Sequence, residues 1–200
     1  MTKIVSIVEG DGEVVAFPVL LRRMSAWLTP ELYSDIAAPI RVRRDRFLNV
    51  DTEFQRMLHL AAAKCGEDGW ILILLDADDD CPAALATAVI GRANAAVPHR
   101  RVSVVLANRE YEAWFVAAAA SLDGLRGFRA DNAAISDAEA IRGAKEWLSI
   151  RIPNGKYREV TDQPAFSANF DLVQARLHSR SFRKLCTEWL KQMPSSCTAL

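Results

Sequence analysis

Glu9 and Glu13 stand close together in Val8-Glu9-Gly10-Asp11-Gly12-Glu13, directly after an apolar stretch. Asp76 and Asp78 follow a second one, Trp70 to Leu75, with Asp79 and Asp80 behind them. Glu110 and Glu112 come just after a third, Arg101 to Ala107. If each stretch is a strand of a parallel sheet, the acids leave it at one edge, the edge where such sheets bind ligands. Carboxylates gathered there repel one another, and a cation offsets the repulsion. A donor set made only of oxygens suits Mg²⁺ or Mn²⁺ rather than zinc or copper. In an extended Asp76-Ala77-Asp78 both carboxylates point the same way and reach one ion or a close pair. Asp79 and Asp80 are read instead as turn formers, one of them capping the helix that starts at Pro82. Glu9 to Gly12 lacks the Gly-Lys-Ser/Thr ending of a Walker loop, which sets nucleotide chemistry of that kind aside.

The elements that must position these acids are legible from periodicity. Lys3 to Val8 reads as a strand that breaks at Glu9-Gly10-Asp11-Gly12. Phe17, Leu20, Leu21, Met24, Trp27 and Leu28 then recur at helical spacing from about Val14, with Pro18 awkward inside. Ile40 to Arg44 suits a short strand, and Phe54, Met57, Leu58 and Ala61 mark a helix capped by Asp51 or Thr52. Trp70 to Leu75 is apolar without alternation, as in a parallel strand covered on both faces. Pro82 opens a helix running to about Ala96, Arg101 to Ala107 is a strand, and Glu110 to Ala120 a helix. Strands alternating with helices in this order predict a largely parallel sheet. Beyond Leu122 the pattern turns helical. Ser136-Asp137-Ala138-Glu139 is a capping box before a helix ending near Ile150, and Pro153 to Pro164 a loop. Phe182, Leu185, Cys186, Trp189, Leu190 and Met193 then share one helix face.

The bulk numbers bound the answer without choosing it. The chain has 200 residues, half of them hydrophobic, which is globular composition. Twenty-five basic residues balance 25 acidic ones, so a strongly basic coat for nucleic acid is excluded, although a local basic face is not. No apolar run approaches the roughly 20 residues that cross a bilayer, and the N-terminal run is too short for a signal peptide. Cys65, Cys81, Cys186 and Cys197 lack zinc-ligand spacing and fit a reducing cytoplasm, the expected location. His59, His99 and His178 are isolated in sequence, and Trp27, Trp114, Trp147 and Trp189 read as core. Tyr111 and Trp114 follow Glu110 closely enough to line a pocket.

In order, "VEGDGE" and "LLDAD" resemble the Toprim domain of topoisomerases, primases and OLD-type nucleases, Glu9 matching the first-strand glutamate and Asp76/Asp78 the Asp-x-Asp pair. With "NREYEAWFVA", "GKYREVTDQPAFSANFDL" and "SFRKL", most of the chain resembles a bacterial Toprim-like family, domain of unknown function 4276. The resemblance implies a Toprim-like Rossmannoid α/β fold, with a core over residues 1–122 and a helical C-terminal extension over 123–200 packed on it. It implies Mg²⁺ (or Mn²⁺) held by Glu9, Glu13, Asp76, Asp78 and Glu112. Catalysis would fall to Glu9, Asp76 and Asp78, with Lys156 as counterpart of the assisting lysine of OLD-type nucleases.

The expected function is a Toprim-type, Mg²⁺-dependent nuclease or related phosphoryl-transfer enzyme, with a role in defence against foreign nucleic acid. The ATPase domain of full OLD proteins is not in this chain, so an ATPase partner encoded nearby is expected. Arg41, Arg43, Arg44 and Arg46, or Arg176, Arg180, Arg183 and Lys184, would contact phosphates of DNA in preference to RNA. For each cluster the competing reading is a solvated face. The alternatives in function are a non-catalytic binding module that works with a partner protein, and a small-molecule phosphohydrolase.

Overall fold

The computed structural model describes residues 1–130, 137–153 and 155–193. Five strands form one sheet: β1 (Thr2–Val8), β2 (Ser34–Ile36), β3 (Ile40–Arg41), β4 (Trp70–Asp76) and β5 (Arg101–Ala107). Its order is β2-β1-β4-β5, with β3 also on β1, and every pairing is parallel. The chain is therefore an α/β protein with a parallel sheet flanked by helices. All the strands end at the same edge, so whatever follows Val8, Asp76 and Ala107 is delivered to one place.

Alternation within the central strand shows why its sequence is uniformly apolar. Trp70, Leu72 and Leu74 face one core, and Ile71, Ile73 and Leu75 face the other. The second core is closed by α2 (Arg44–Asn49), α3 (Asp51–Cys65) and α4 (Pro82–Ala96). The first is closed by α1 (Asp11–Leu28), α5 (Ala113–Ala117), α6 (Ala144–Ser149), α7 (Glu159–Asn169), α8 (Leu172–His178) and α9 (Arg180–Gln192). Phe166, Phe170, Phe182 and Trp189 of the C-terminal half sit in the same cluster as Phe17, Trp70 and Trp114. The halves are one packed body around the sheet.

Several boundaries differ from the sequence reading. Helix α1 starts at Asp11 and carries Pro18 in its interior, where buried apolar neighbours outweigh the lost donor. The cap of α3 is Val50, and that of α4 is Cys81; neither Asp51, Thr52, Asp79 nor Asp80 caps a helix through its side chain. Of the extended region expected from Ile40 to Arg44, Ile40 and Arg41 pair with β1 and the Val42 N–H still donates to the Val8 carbonyl at 2.8 Å, before Arg44 begins α2. The helix expected from Glu110 to Ala120 shortens to α5 followed by a 3₁₀ turn at Ala119–Leu122. Ser136 lies outside the described residues, while Asp137 caps a 3₁₀ turn at Ala138–Ala140. The expected loop to Pro164 ends earlier, since α7 begins at Glu159 and takes Pro164 inside it. Leu190 on α9 is exposed rather than in the core.

Candidate metal centre

Four carboxylates of the sequence reading meet at the carboxyl edge of the sheet. Glu9 leaves β1, and Glu13 lies in the first turn of α1, buried. Asp76 is the last residue of β4, buried, and its Oδ1 accepts the backbone N–H of Tyr111 at 2.8 Å. Glu112, wholly buried, precedes α5. The turn after Val8 needs its glycine: a Cβ on Gly10 would lie 2.1 Å from Glu13 Oε2.

Asp78 joins from a different geometry than expected. The strand ends at Asp76, and Asp78 takes φ 51°, a left-handed conformation that aspartate tolerates. The two are not same-face residues of one extended segment. Asp78 is exposed and faces the cluster from the turn, where Arg44 Nε approaches it at 3.5 Å. Arg44 also donates to the carbonyls of Asp76 and Ala77 at 3.1 and 3.4 Å, and to Asp80 Oδ2 at 2.6 Å. That guanidinium is spent on shaping the acidic turn.

The C-terminal half closes the site with groups that sequence reasoning missed. Gln163 of α7, fully buried, donates through Nε2 to Glu13 Oε1 and to Glu112 Oε1, both at 3.1 Å. Lys145 of α6 pairs with Glu159 at 3.0 Å, and its charge acts on Glu112 and Asp76. Its backbone N–H donates to Glu110 Oε2 at 3.2 Å. The Tyr157 hydroxyl is buried beside Glu112, near enough to act on its acidity as a donor, although the two do not form a hydrogen bond of ordinary geometry. Lys156 is exposed, with no ion pair or side-chain hydrogen bond among the described residues; the lysine that faces the acids is Lys145. Lys145 sits in no recognisable motif, whereas Gln163 falls in the "VTDQPAF" segment that carried part of the family resemblance.

Burial and crowding, only partly offset by Arg44 and Lys145, show in the acidities. Burial, then Asp78 and Glu13, push the Glu9 carboxyl up to about 7, against a smaller opposing pull from Arg44. Burial lifts Glu112 to about 8, with Glu13 adding to the rise and Lys145 opposing it. Asp76 is raised well above the carboxylate range by burial and by Glu112, Glu9 and Glu13. Lys145 is held above its ordinary value by Glu112, Glu159 and Asp76, which outweigh its own desolvation, so it stays charged.

Whether a divalent cation suits this donor set can be judged from what the carboxylates lack. Glu9 Oε2, Glu13 Oε2 and Glu112 Oε2 are all buried with no hydrogen-bond partner of ordinary geometry, with Arg44 Nε 4.0 Å from the first and the Tyr157 hydroxyl beside the last. Buried polar atoms are nearly always satisfied, so three unsatisfied oxygens around one buried aspartate fit a hard cation. Among the described residues, no group of three or more histidine, cysteine, aspartate or glutamate side chains is arranged to hold a metal ion. Glu13 and Glu112 are instead joined by the Gln163 amide.

The arginines expected at phosphates are mostly engaged elsewhere. Arg41 pairs with Asp11 at 3.0 Å, Arg46 approaches Glu53 at 3.9 Å, and Arg183 binds the carbonyls of Arg176 and Leu177 at the end of α8. Lys184 pairs with Glu188, and Arg176 lies over the Trp27 ring. Arg43 and Arg180 are exposed, without side-chain partners among the described residues. Beside the acids stand two arginines not singled out from sequence, Arg109 and Arg142, both paired with Asp79. Tyr111 and Trp114 are core residues, bonded to Ser167 and Ser181.

Comparison with curated proteins and with solved structures finds no match for this chain. A family model does match, over residues 8–189, spanning β1 through α9 and therefore every acid of the site. The chain belongs to the family described as Domain of unknown function (DUF4276).

Proposed function

We propose that this protein is a Toprim-type, Mg²⁺- or Mn²⁺-dependent phosphodiesterase whose substrate is nucleic acid, DNA before RNA. The observation that carries the reading is the set of unsatisfied oxygens on Glu9, Glu13 and Glu112 around buried Asp76. Those four residues would hold the ion, with Asp78 at the mouth; when bound, it supplies polarisation of a phosphoryl oxygen and activation of water. The acidic site repels a phosphodiester until cations reverse the local field. Glu9 keeps a quarter of its side chain open to solvent and is placed to take a proton from an entering water. Lys145, charged and close to Asp76 and Glu112, offers a fixed positive group for charge developing on the phosphoryl oxygens. Arg109 and Arg142 add positive charge on the rim, where a backbone phosphate would enter. An ATPase supplied by another chain is part of the proposal, as is a role in defence.

One observation favours the binding-module alternative: Arg44 already places a cation against Asp78 and Asp80. The test separates the two. Purified protein with Mn²⁺ is expected to nick plasmid DNA, to stop on chelation and to be silenced by Glu9→Gln. Binding to DNA without cleavage, alone or with neighbouring gene products, would instead support the non-catalytic module.

A further inference from the structure

The two most deeply buried glutamates of the cluster are tied to each other by one side chain from the far half of the protein. Gln163 has two N–H donors on Nε2, and both are used: one oxygen of Glu13 and one of Glu112, each at 3.1 Å. What remains on each glutamate is Oε2, buried and unpartnered. The amide thus fixes which oxygen of each carboxylate is bound and which is left for something else. It does so without adding charge, which a lysine or arginine there would do at the expense of cation affinity.

The position of the amide is set from the other side. A Cβ on Gly12 would fall 2.1 Å from Gln163 Oε1 and 3.1 Å from Glu159 Cβ. The second glycine of Glu9-Gly10-Asp11-Gly12-Glu13 is therefore the slot into which α7 places its glutamine. Gln163 Oε1 is itself buried without a partner, so no other hydrogen bond would hold the amide if it were displaced.

We infer that Gln163 is the positioning residue of the metal centre, an amide bracket on α7 that presents Glu13 Oε2 and Glu112 Oε2 to the cation, with Gly12 as its required slot. This rests on the metal-site reading above and adds that the site is complete only with α7 docked. Groups that orient ligands in this way carry about 10–100-fold of metal affinity.

The test uses the full chain and Mn²⁺ alone, with electron paramagnetic resonance counting free ion and reporting the symmetry of bound ion. Gln163→Met keeps the length and removes both donors. Gly12→Ala leaves Gln163 intact but pushes its amide aside, and serves if the first variant does not fold. Each is expected to lose about 10–100-fold in Mn²⁺ affinity and to change the bound-ion spectrum while still unfolding cooperatively without metal, at a melting temperature lowered by the lost hydrogen bonds. The double variant should lose no more than Gln163→Met, because both act through one amide. Wild-type affinity in either folded variant, or additive losses in the double, would overturn the bracket. Absence of Mn²⁺ binding by the wild-type chain would overturn the metal-site reading itself.

Discussion

At the scale of single residues, the site is defined by carboxylates held against their own repulsion. Glu9 at about 7 and Glu112 at about 8 lie above the ordinary 4.5, so the metal-free folded chain keeps protons that the unfolded chain has released across that window. More protons on the folded state mean stability that falls as pH rises from about 4.5 to 8. For Glu9, still partly open to solvent, screening reduces the loss to on the order of 1–2 kcal/mol, or a few degrees in melting temperature for a chain of this size. Melting in chelator at pH 5 and at pH 8.5 should show that decline, and Mg²⁺ should flatten it by favouring the ionised acids. A metal-free melting temperature that rises over the same range would contradict the burial of these groups. Glu9, Glu13, Asp76 and Glu112 were all legible in the sequence, since strand ends concentrate ligands. Lys145 and Gln163 were not, because neither follows a strand and each reaches the site only through the packing of a distant helix.

At the scale of elements, the site depends on how α7 is held: it lies along α1 and is anchored in the aromatic cluster by Phe166. Phe166 of α7 packs its ring at 5.5 Å from Phe115, 5.7 Å from Phe128 and 5.9 Å from Tyr157, centroid to centroid. Phe166→Ala removes that anchor one turn from Gln163 and is expected to cost roughly 3–5 kcal/mol. Urea unfolding measures the cost, and Mn²⁺ affinity should fall with it if α7 completes the centre. A variant destabilised by less than about 1 kcal/mol would show that α7 is held by other contacts. The strands were read closely because a continuous apolar run such as Trp70 to Leu75 has few interpretations in a parallel sheet. The short C-terminal elements were read poorly. Pro164 within α7 and the break between α5 and the following 3₁₀ turn are decided by tertiary packing that local propensity does not register.

At the scale of the whole molecule, the site straddles the two halves of the chain, and so does the core beneath it. Residues 1–122 supply the carboxylates, while Gln163, Lys145 and Glu159 come from beyond them. A fragment of residues 1–122 would uncover Phe17, Trp70 and Trp114, which pack against the C-terminal helices. It is expected to lack cooperative thermal unfolding by calorimetry; a sharp, reversible transition in that fragment would show a self-sufficient domain. With 25 acidic and 25 basic residues the chain has no net charge, so if nucleic acid is the substrate, as proposed, its steering would fall to the rim around Arg109 and Arg142.

Calorimetric titration of Mn²⁺ into the metal-free wild-type chain and into Asp76→Asn decides whether these acids are a divalent-metal centre. Asp76 is the buried hub whose acidity answers to Glu112, Glu9 and Glu13 together. Removing its charge should leave the fold intact, or steadier, because the repulsion is relieved. If these acids are a metal centre, binding to the wild type is saturable and the variant, which lacks one ligand charge, loses at least about 10-fold, no less than loss of an orienting group costs. Equal affinity in the two proteins, or no saturable binding to the wild type, would contradict the metal centre.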